Sequence, residues 1–197
     1  LQVTADEVSV PNSVVYGDDL SSAQAGVAAT FFIELADEFG NLVSDAVTAQ
    51  DFVNDATATM VKVGDATKTV DVTLETSVLA SSVIVKATYT ITETGDYYLS
   101  IAVTDEETTP PTVTTYTSFA GYVSTTVSAG KATAQTTTVA QLASSTFAGD
   151  VTFQILLQDQ YGNDIAEDQL LSFFIVAEGY GASLGQYTLA PPEAVVW

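Results

Sequence analysis

The chain lacks histidine and cysteine, and its only basic residues are four lysines among 197 positions. Without histidine it has no Ser-His-Asp or Cys-His arrangement and no imidazole metal ligand. Without cysteine it has no thiolate zinc site, no thiol nucleophile and no disulfide. We therefore predict that the protein is not an enzyme and that it carries no catalytic residue, no metal site and no cofactor.

Acidic residues outnumber basic residues by 25 to 4, which gives a formal net charge of −21. A surface of this charge repels nucleic-acid phosphates and anionic lipid headgroups. No apolar run approaches the roughly 18 residues that a membrane-spanning helix needs. We expect no nucleic-acid partner and no membrane insertion by this segment.

The cysteine count leaves the cellular compartment open, because it fits a reducing compartment and equally a secreted protein that needs no disulfide. The sequence starts at Leu1 without an apolar leader, as expected for a processed mature chain or for a segment of something longer. Both alternatives favour an extracellular or cell-surface location.

Apolar and polar residues alternate in several short runs that end at Gly, Asn or Asp, which predicts β-strands. The strands are expected at 30–36, 60–63, 69–75, 83–91 and 97–103. Their inward faces predict a core that contains Phe31, Ile33, Leu35, Val72, Val85, Leu99 and Ile101. The best helical candidate is the short segment 44–54, so the fold class is expected to be all-β.

A strand that ends in an Asp-x-x-Gly-Asn turn occurs twice, at 31–41 and at 153–163. Its two aspartates, Asp37 and Asp159, are 122 residues apart (159 − 37). Repetition at this period predicts two copies of one module. Phe153, Ile155 and Leu157 are then the expected core residues of the second copy.

Three motifs resemble the filamin-type immunoglobulin-like (Ig-like) repeat and, less closely, the invasin-type bacterial Ig-like domain. They are the segment 13–17 followed by Ala25-Gly26, the turn Asp37-x-x-Gly40-Asn41, and the late segment 95–101 with the sequence Gly-Asp-Tyr-Tyr-Leu-Ser-Ile. The resemblance implies tandem Ig-like antiparallel β-sandwiches. It also implies a tyrosine corner at 93–97, with Leu99 where a disulfide-bonded Ig domain has its cysteine.

On this basis we expect 1–10 to be an N-terminal strand or the tail of a preceding repeat, 11–128 a first Ig-like domain, and 129–197 a second. The second is apparently incomplete, because only 38 residues follow Asp159 (197 − 159) and the segment 95–98 does not recur. A neighbour could complete it by donating the strand 2–10, which would propagate a fibre. The alternative is that the sequence is part of a longer repeat protein.

Two kinds of site are considered. The Asp37/Asn41 and Asp159/Asn163 pairs offer oxygens for Ca²⁺, but they lack the Asp-x-Asp-x-Asp-Gly pattern and are better interpreted as turn residues. The inserted connection 104–115 is rich in Thr and Pro, a composition typical of O-glycosylated secreted proteins. The candidate glycosylation sites, in an exposed extended loop, are Thr108, Thr109, Thr112, Thr114 and Thr115.

The predicted function is that of a non-enzymatic structural building block of an extracellular filament or cell-surface appendage. Self-association into a polymer is expected, with other surface proteins as further partners. The alternative function is an adhesion or recognition ectodomain that binds another protein or a carbohydrate.

Overall fold

In the computed structural model the described residues are 5, 7–79, 82–106, 108–119, 122, 124–133, 135–141 and 153–165. The chain divides into two compact units, Leu1–Ser128 and Ala129–Trp197. The described part of the first unit contains the strands β1 (Val14–Tyr16), β2 (Ser22–Gln24), β3 (Ala29–Glu34), β4 (Ala56–Lys62), β5 (Asp65–Leu79), β6 (Ser82–Tyr89), β7 (Gly95–Asp105), β8 (Thr112–Tyr116) and β9 (Thr125–Ser128), with the helix α1 (Ala46–Asp55). The second unit contributes β10 (Thr138–Gln141) and β11 (Phe153–Leu156). The predicted all-β class is confirmed.

The helix α1 forms where the sequence offered its best helical candidate. Asp45 caps it, since its carboxylate accepts the backbone N–H of Thr48 at 2.9 Å and so satisfies a free donor of the first turn. Ala49 and Phe52 are its buried residues, which fixes the helix on the first unit through one narrow face.

The strands of the first unit form one sheet in the order β1-β3-β6-β5-β4-β7-β9-β2, with β8 paired to β7. The long strand β5 pairs with β4 through its first half and with β6 through its second half. It therefore passes from one layer to the other, and the sheet curls over on itself. The layers β1-β3-β6-β5 and β4-β7-β9 correspond to the ABED and CFG sheets of an Ig constant-type sandwich.

The core lies between these two layers. All seven residues predicted for it are buried, and none exceeds 7% exposure. Phe31, Ile33 and Val85 come from the first layer, and Leu99 and Ile101 come from the second. The alternating pattern therefore predicted the inward faces of β3, β6 and β7 correctly.

The segment before β1 belongs to the first unit. Ser9 donates its backbone N–H to Ala36 O at 2.7 Å, and Val10 begins a 3-10 turn with only 4% of its surface exposed. Val8 also packs against the core. Residues 8–10 of the proposed donor strand therefore pack within their own unit, and donation of 2–10 to a neighbour stays a prediction. Residues 1–4 and 6 lie outside the described residues.

The described part of the second unit repeats the first strand pair of the first unit. Val14 opposes Glu34 in β1–β3, and Thr138 opposes Leu156 in β10–β11, both antiparallel. These positions differ by 124 residues on the first strand (138 − 14) and by 122 on the second (156 − 34). The second copy is therefore two residues shorter between the paired strands.

The predicted core of the second unit lies partly among the described residues. Ile155 and Leu157 are half-buried. The side chain of Phe153 lies outside the described residues. That 129–197 is a second Ig-like domain stays a prediction.

Candidate functional site

The turn after β3 is closed by Asp37, whose side chain is almost completely buried. Its carboxylate accepts the backbone N–H groups of Phe39 and Asn41 at 2.9 and 2.8 Å, and also Asn41 Nδ2 at 2.9 Å. Gly40 adopts φ 80°, the left-handed conformation that a residue with a side chain rarely takes. These contacts are those of a turn and give both carboxylate oxygens N–H donors, as the turn interpretation predicts.

The turn at Asp159 has the same geometry. Its carboxylate accepts the backbone N–H of Tyr161 at 2.9 Å, that of Asn163 at 3.0 Å, and Asn163 Nδ2 at 2.8 Å. It also accepts the backbone N–H of Gly130 at 2.9 Å. Burial acts to raise the pKa of Asp159, but the hydrogen bonds from Asn163, Gly130 and Tyr161 together hold it below its usual value.

A second pair of residues, which the sequence analysis missed, clamps these two turns. Asn12 Nδ2 donates to Asp37 O at 3.1 Å and to Glu38 O at 2.8 Å. Thr136 Oγ1 likewise donates to Asp159 O at 2.5 Å. Asn12 and Thr136 are 124 residues apart (136 − 12), so a search at the single period of 122 does not align them.

The tyrosine corner implied by the family resemblance is present. Tyr97 Oη donates to the carbonyl of Glu93, four residues upstream, at 3.1 Å. The Glu93 carboxylate binds Lys62 Nζ at 2.5 Å and Lys68 Nζ at 2.6 Å, and these hydrogen bonds lower the pKa of its carboxyl group. Lys62 Nζ also donates to Thr94 O at 3.0 Å. These hydrogen bonds, made by Tyr97, Glu93 and the two lysines, hold the start of β7 in place.

The inserted connection 104–115 is not the loop that its composition predicted. β7 continues to Asp105, and β8 returns antiparallel to it, pairing Asp105 with Thr112 and Ile101 with Tyr116. Threonine favours a pleated strand when a pairing partner is within reach, and β7 supplies that partner. Three candidate glycosylation sites, Thr112, Thr114 and Thr115, therefore lie on a β-strand, although all three are exposed as predicted.

The five candidate threonines differ in what their hydroxyl groups do. Thr108 Oγ1 donates to Asp105 O at 3.0 Å and accepts the backbone N–H of Thr112 at 3.0 Å, so it closes the hairpin. Thr112 Oγ1 lies 3.3 Å from the same hydroxyl. Thr109, Thr114 and Thr115 are exposed, and their hydroxyl groups make no hydrogen bond to any other described residue. An O-linked sugar on Thr108 would remove the proton that closes the turn.

No candidate metal centre emerges among the described residues. They contain no group of three or more potential metal-binding side chains. Every described helix lacks the length and apolar character that crossing a membrane requires.

Comparisons with known proteins concern the fold. No protein-family profile matches the chain, and no curated protein matches it. The Lin-41 filamin domain matches 62% of this chain and 97% of its own length, at 20% identity and a TM-score of 0.39. FdeC, an Escherichia coli adhesin, matches 85% of this chain at 19% identity with a TM-score of 0.48, and InvD of Yersinia pseudotuberculosis matches 83% at 16% identity with a TM-score of 0.47.

The chain spans 46% of the FdeC chain and 45% of the InvD chain. A filamin domain and a bacterial adhesin are thus among the similar structures. The strand order and the tyrosine corner make the first unit an Ig-like β-sandwich.

Proposed function

We propose that the chain is a non-enzymatic structural building block of an extracellular filament or cell-surface appendage, made of Ig-like modules in tandem. The observation that supports this most is the repeated start of the module. The Asp turn recurs with the same carboxylate hydrogen bonds in both units, and the first strand pair recurs with the same antiparallel pairing. A side chain that donates to the turn carbonyl also recurs, as an amide in the first unit and a hydroxyl in the second. Repeated sandwiches serve as spacers whose length is set by the number of copies.

The connection between the two copies is short. β9 ends the first unit at Ser128, where Ala25 N–H binds Ser128 O at 2.8 Å. Gly130, two residues later, already donates to the Asp159 turn of the second unit. A connection of so few residues is typical of modules that follow one another directly in a repeat array.

The net charge suits the same role. A charge of −21 with only four compensating lysines makes identical chains repel one another in solution. Such repulsion keeps a secreted rod soluble and prevents non-specific clumping. It also means that any specific self-association must use a surface where few of these charges meet.

O-linked glycosylation of the hairpin is part of the proposal. Thr109 is the preferred acceptor, because it lies at the exposed tip between β7 and β8 and its hydroxyl makes no hydrogen bond to the rest of the described chain. Thr108 is the least suitable, because its hydroxyl closes the turn.

Adhesion is the second candidate function, favoured by exposed apolar side chains. Phe39 is 74% exposed at the tip of the Asp37 turn, and Val113 is 63% exposed on β8. Isolated exposed apolar residues are ordinary, but an aromatic ring at a turn tip is suited to contact with another protein or with a sugar ring.

The test is immunogold electron microscopy of intact cells and of detached surface appendages, using antibodies raised against the recombinant chain. Label repeated at regular intervals along filaments is the expected result. Label confined to the cell interior, or soluble monomer as the sole native form, would refute the structural role. Label on the cell surface without any filament would favour adhesion.

A further inference from the structure

The strand β8 has an open edge. It pairs with β7 alone among the described residues, and none of them pairs with the backbone groups on its other side. An open edge is a template for another strand, and native proteins usually blunt such an edge with charge, proline or a very short strand. In β8 no charge or proline interrupts the five residues 112–116.

The charge around this edge is unusual for the chain. Residues 108–130 contain no Asp, Glu, Lys or Arg, and this is the longest uncharged stretch in a sequence of net charge −21. The other open edges of the first unit differ. β1 and β2 have three residues each, and β5 carries Asp65, Lys68, Asp71 and Glu75. β8 is therefore an edge strand that adds no charge of its own to a contact between two copies.

The hydrogen bonds of the hairpin define which backbone groups of β8 point outward. Leu99 N–H donates to Tyr122 Oη at 3.0 Å, on the side of β7 where β8 and β9 pair. The backbone N–H and C=O groups of the odd-numbered residues of β7 therefore point toward β8 and β9. Thr114 opposes Val103 in this ladder, and the backbone groups of Thr114 therefore point toward β7. By alternation, the N–H and C=O groups of Val113 and Thr115 point away from β7.

From this geometry we propose that β8 pairs with β8 of a second copy of the chain, antiparallel about a two-fold axis at Thr114. In that register Val113 opposes Thr115 of the second copy, and Thr115 opposes its Val113. Both are pairs of outward-facing residues, so four backbone hydrogen bonds form. Threonine lies opposite threonine on the axis, a cross-strand pair that a sheet accommodates well.

Acidic side chains lie near both ends of β8. Asp105 and Glu106 lie beside Thr112, and Glu7 and Glu38 line a pocket together with Tyr116 at the other end. Antiparallel pairing separates the Asp105 carboxylates of the two copies by the length of the strand, whereas parallel pairing would bring them side by side. Antiparallel pairing also sets each of them toward the Glu7 and Glu38 end of the other copy, so the contact depends on screening of charge by salt. Such a contact would join two chains laterally, and it holds whether or not the chain is a filament component.

The test uses sedimentation velocity of the full 197-residue chain, produced without glycosylation, over a range of protein and salt concentrations. A monomer–dimer equilibrium that strengthens as added salt screens the net charge is the expected result. Chains that stay monomeric at every concentration and ionic strength would overturn the proposal.

Val113→Pro removes one outward N–H from each copy, and thus two of the four hydrogen bonds, while leaving the bonds to β7 intact. The dissociation constant of the dimer should rise about tenfold or more. The matched control Val113→Thr keeps the N–H and should dimerise like the parent chain. A folded Val113→Pro variant that dimerises as tightly as the parent would show that β8 is not the contact.

Amide hydrogen exchange of the parent chain provides a test that does not depend on a variant folding. Thr114 should be protected at all concentrations, because its N–H is bonded within the hairpin. Val113 and Thr115 should become protected only where the dimer is populated. Free exchange at both positions in the dimer, or an O-linked sugar on Thr114 of the native protein, would contradict the proposed pairing.

Discussion

Replacing Leu99 by Ala tests the register on which the first sandwich depends. Leu99 is fully buried in β7, opposite the equally buried Met60 of β4. β7 pairs with β4 on one side and with β8 and β9 on the other, so its backbone cannot move inward to fill the cavity. Leu→Ala substitutions at such sites lower the free energy of unfolding by about 2–5 kcal/mol. Because β7 is held on both sides, we expect a loss of about 3–5 kcal/mol for Leu99→Ala.

The assay is guanidinium denaturation followed by far-UV circular dichroism, because the one tryptophan, Trp197, belongs to the second unit. Ser100→Ala is the matched control: it lies next to Leu99 on the opposite face and should change the free energy of unfolding by less than about 0.5 kcal/mol. A loss below about 0.5 kcal/mol for Leu99→Ala, or a larger loss for the control, would mean that the strand is shifted by one residue.

The tyrosine corner and the Asp turn yield two further predictions. Tyr97→Phe removes the hydrogen bond to Glu93 O and should destabilise the chain by about 1–2 kcal/mol in thermal or chemical unfolding. Tyr16→Phe, at a partly exposed ring, should have almost no effect, and equal losses for both would contradict the corner's role. Asp37→Ala leaves two backbone N–H groups without an acceptor and should cost about 2–4 kcal/mol. Because the carboxylate serves a turn, EDTA should leave the stability of the parent chain unchanged; a Ca²⁺-dependent gain in stability that Asp37→Ala abolishes would restore the metal interpretation.

Local pattern was a good guide where a single strand or turn carries its own signal. Alternation identified the inward faces of β3, β6 and β7, because consecutive side chains of a strand point to opposite faces. The Asp-x-x-Gly-Asn spacing predicted a turn because the carboxylate reaches the N–H groups two and four residues ahead. The tyrosine corner at 93–97 was implied by the family resemblance, and its hydrogen bond likewise spans only four residues.

Composition was a poor guide to the Thr- and Pro-rich insertion. The same threonines suit an exposed loop and an edge strand, and the choice depends on whether an unpaired strand lies alongside. β7 extends beyond the sandwich and offers that partner, which makes 112–116 a strand. For the same reason the β-prone sequence of 2–10 did not predict that Val10 is a core residue of the first unit.

Local sequence was enough to set the class of the fold, the faces of the strands of the first unit and the position of its turns, because each of these depends on neighbouring residues. Three features followed only from the folded chain: which strands pair, that β5 joins both layers, and that Glu93 binds two lysines from β4 and β5. These are contacts between residues far apart in sequence. Many strand pairings are compatible with the same alternating pattern, and the native one is selected because it buries the apolar faces together in a single core.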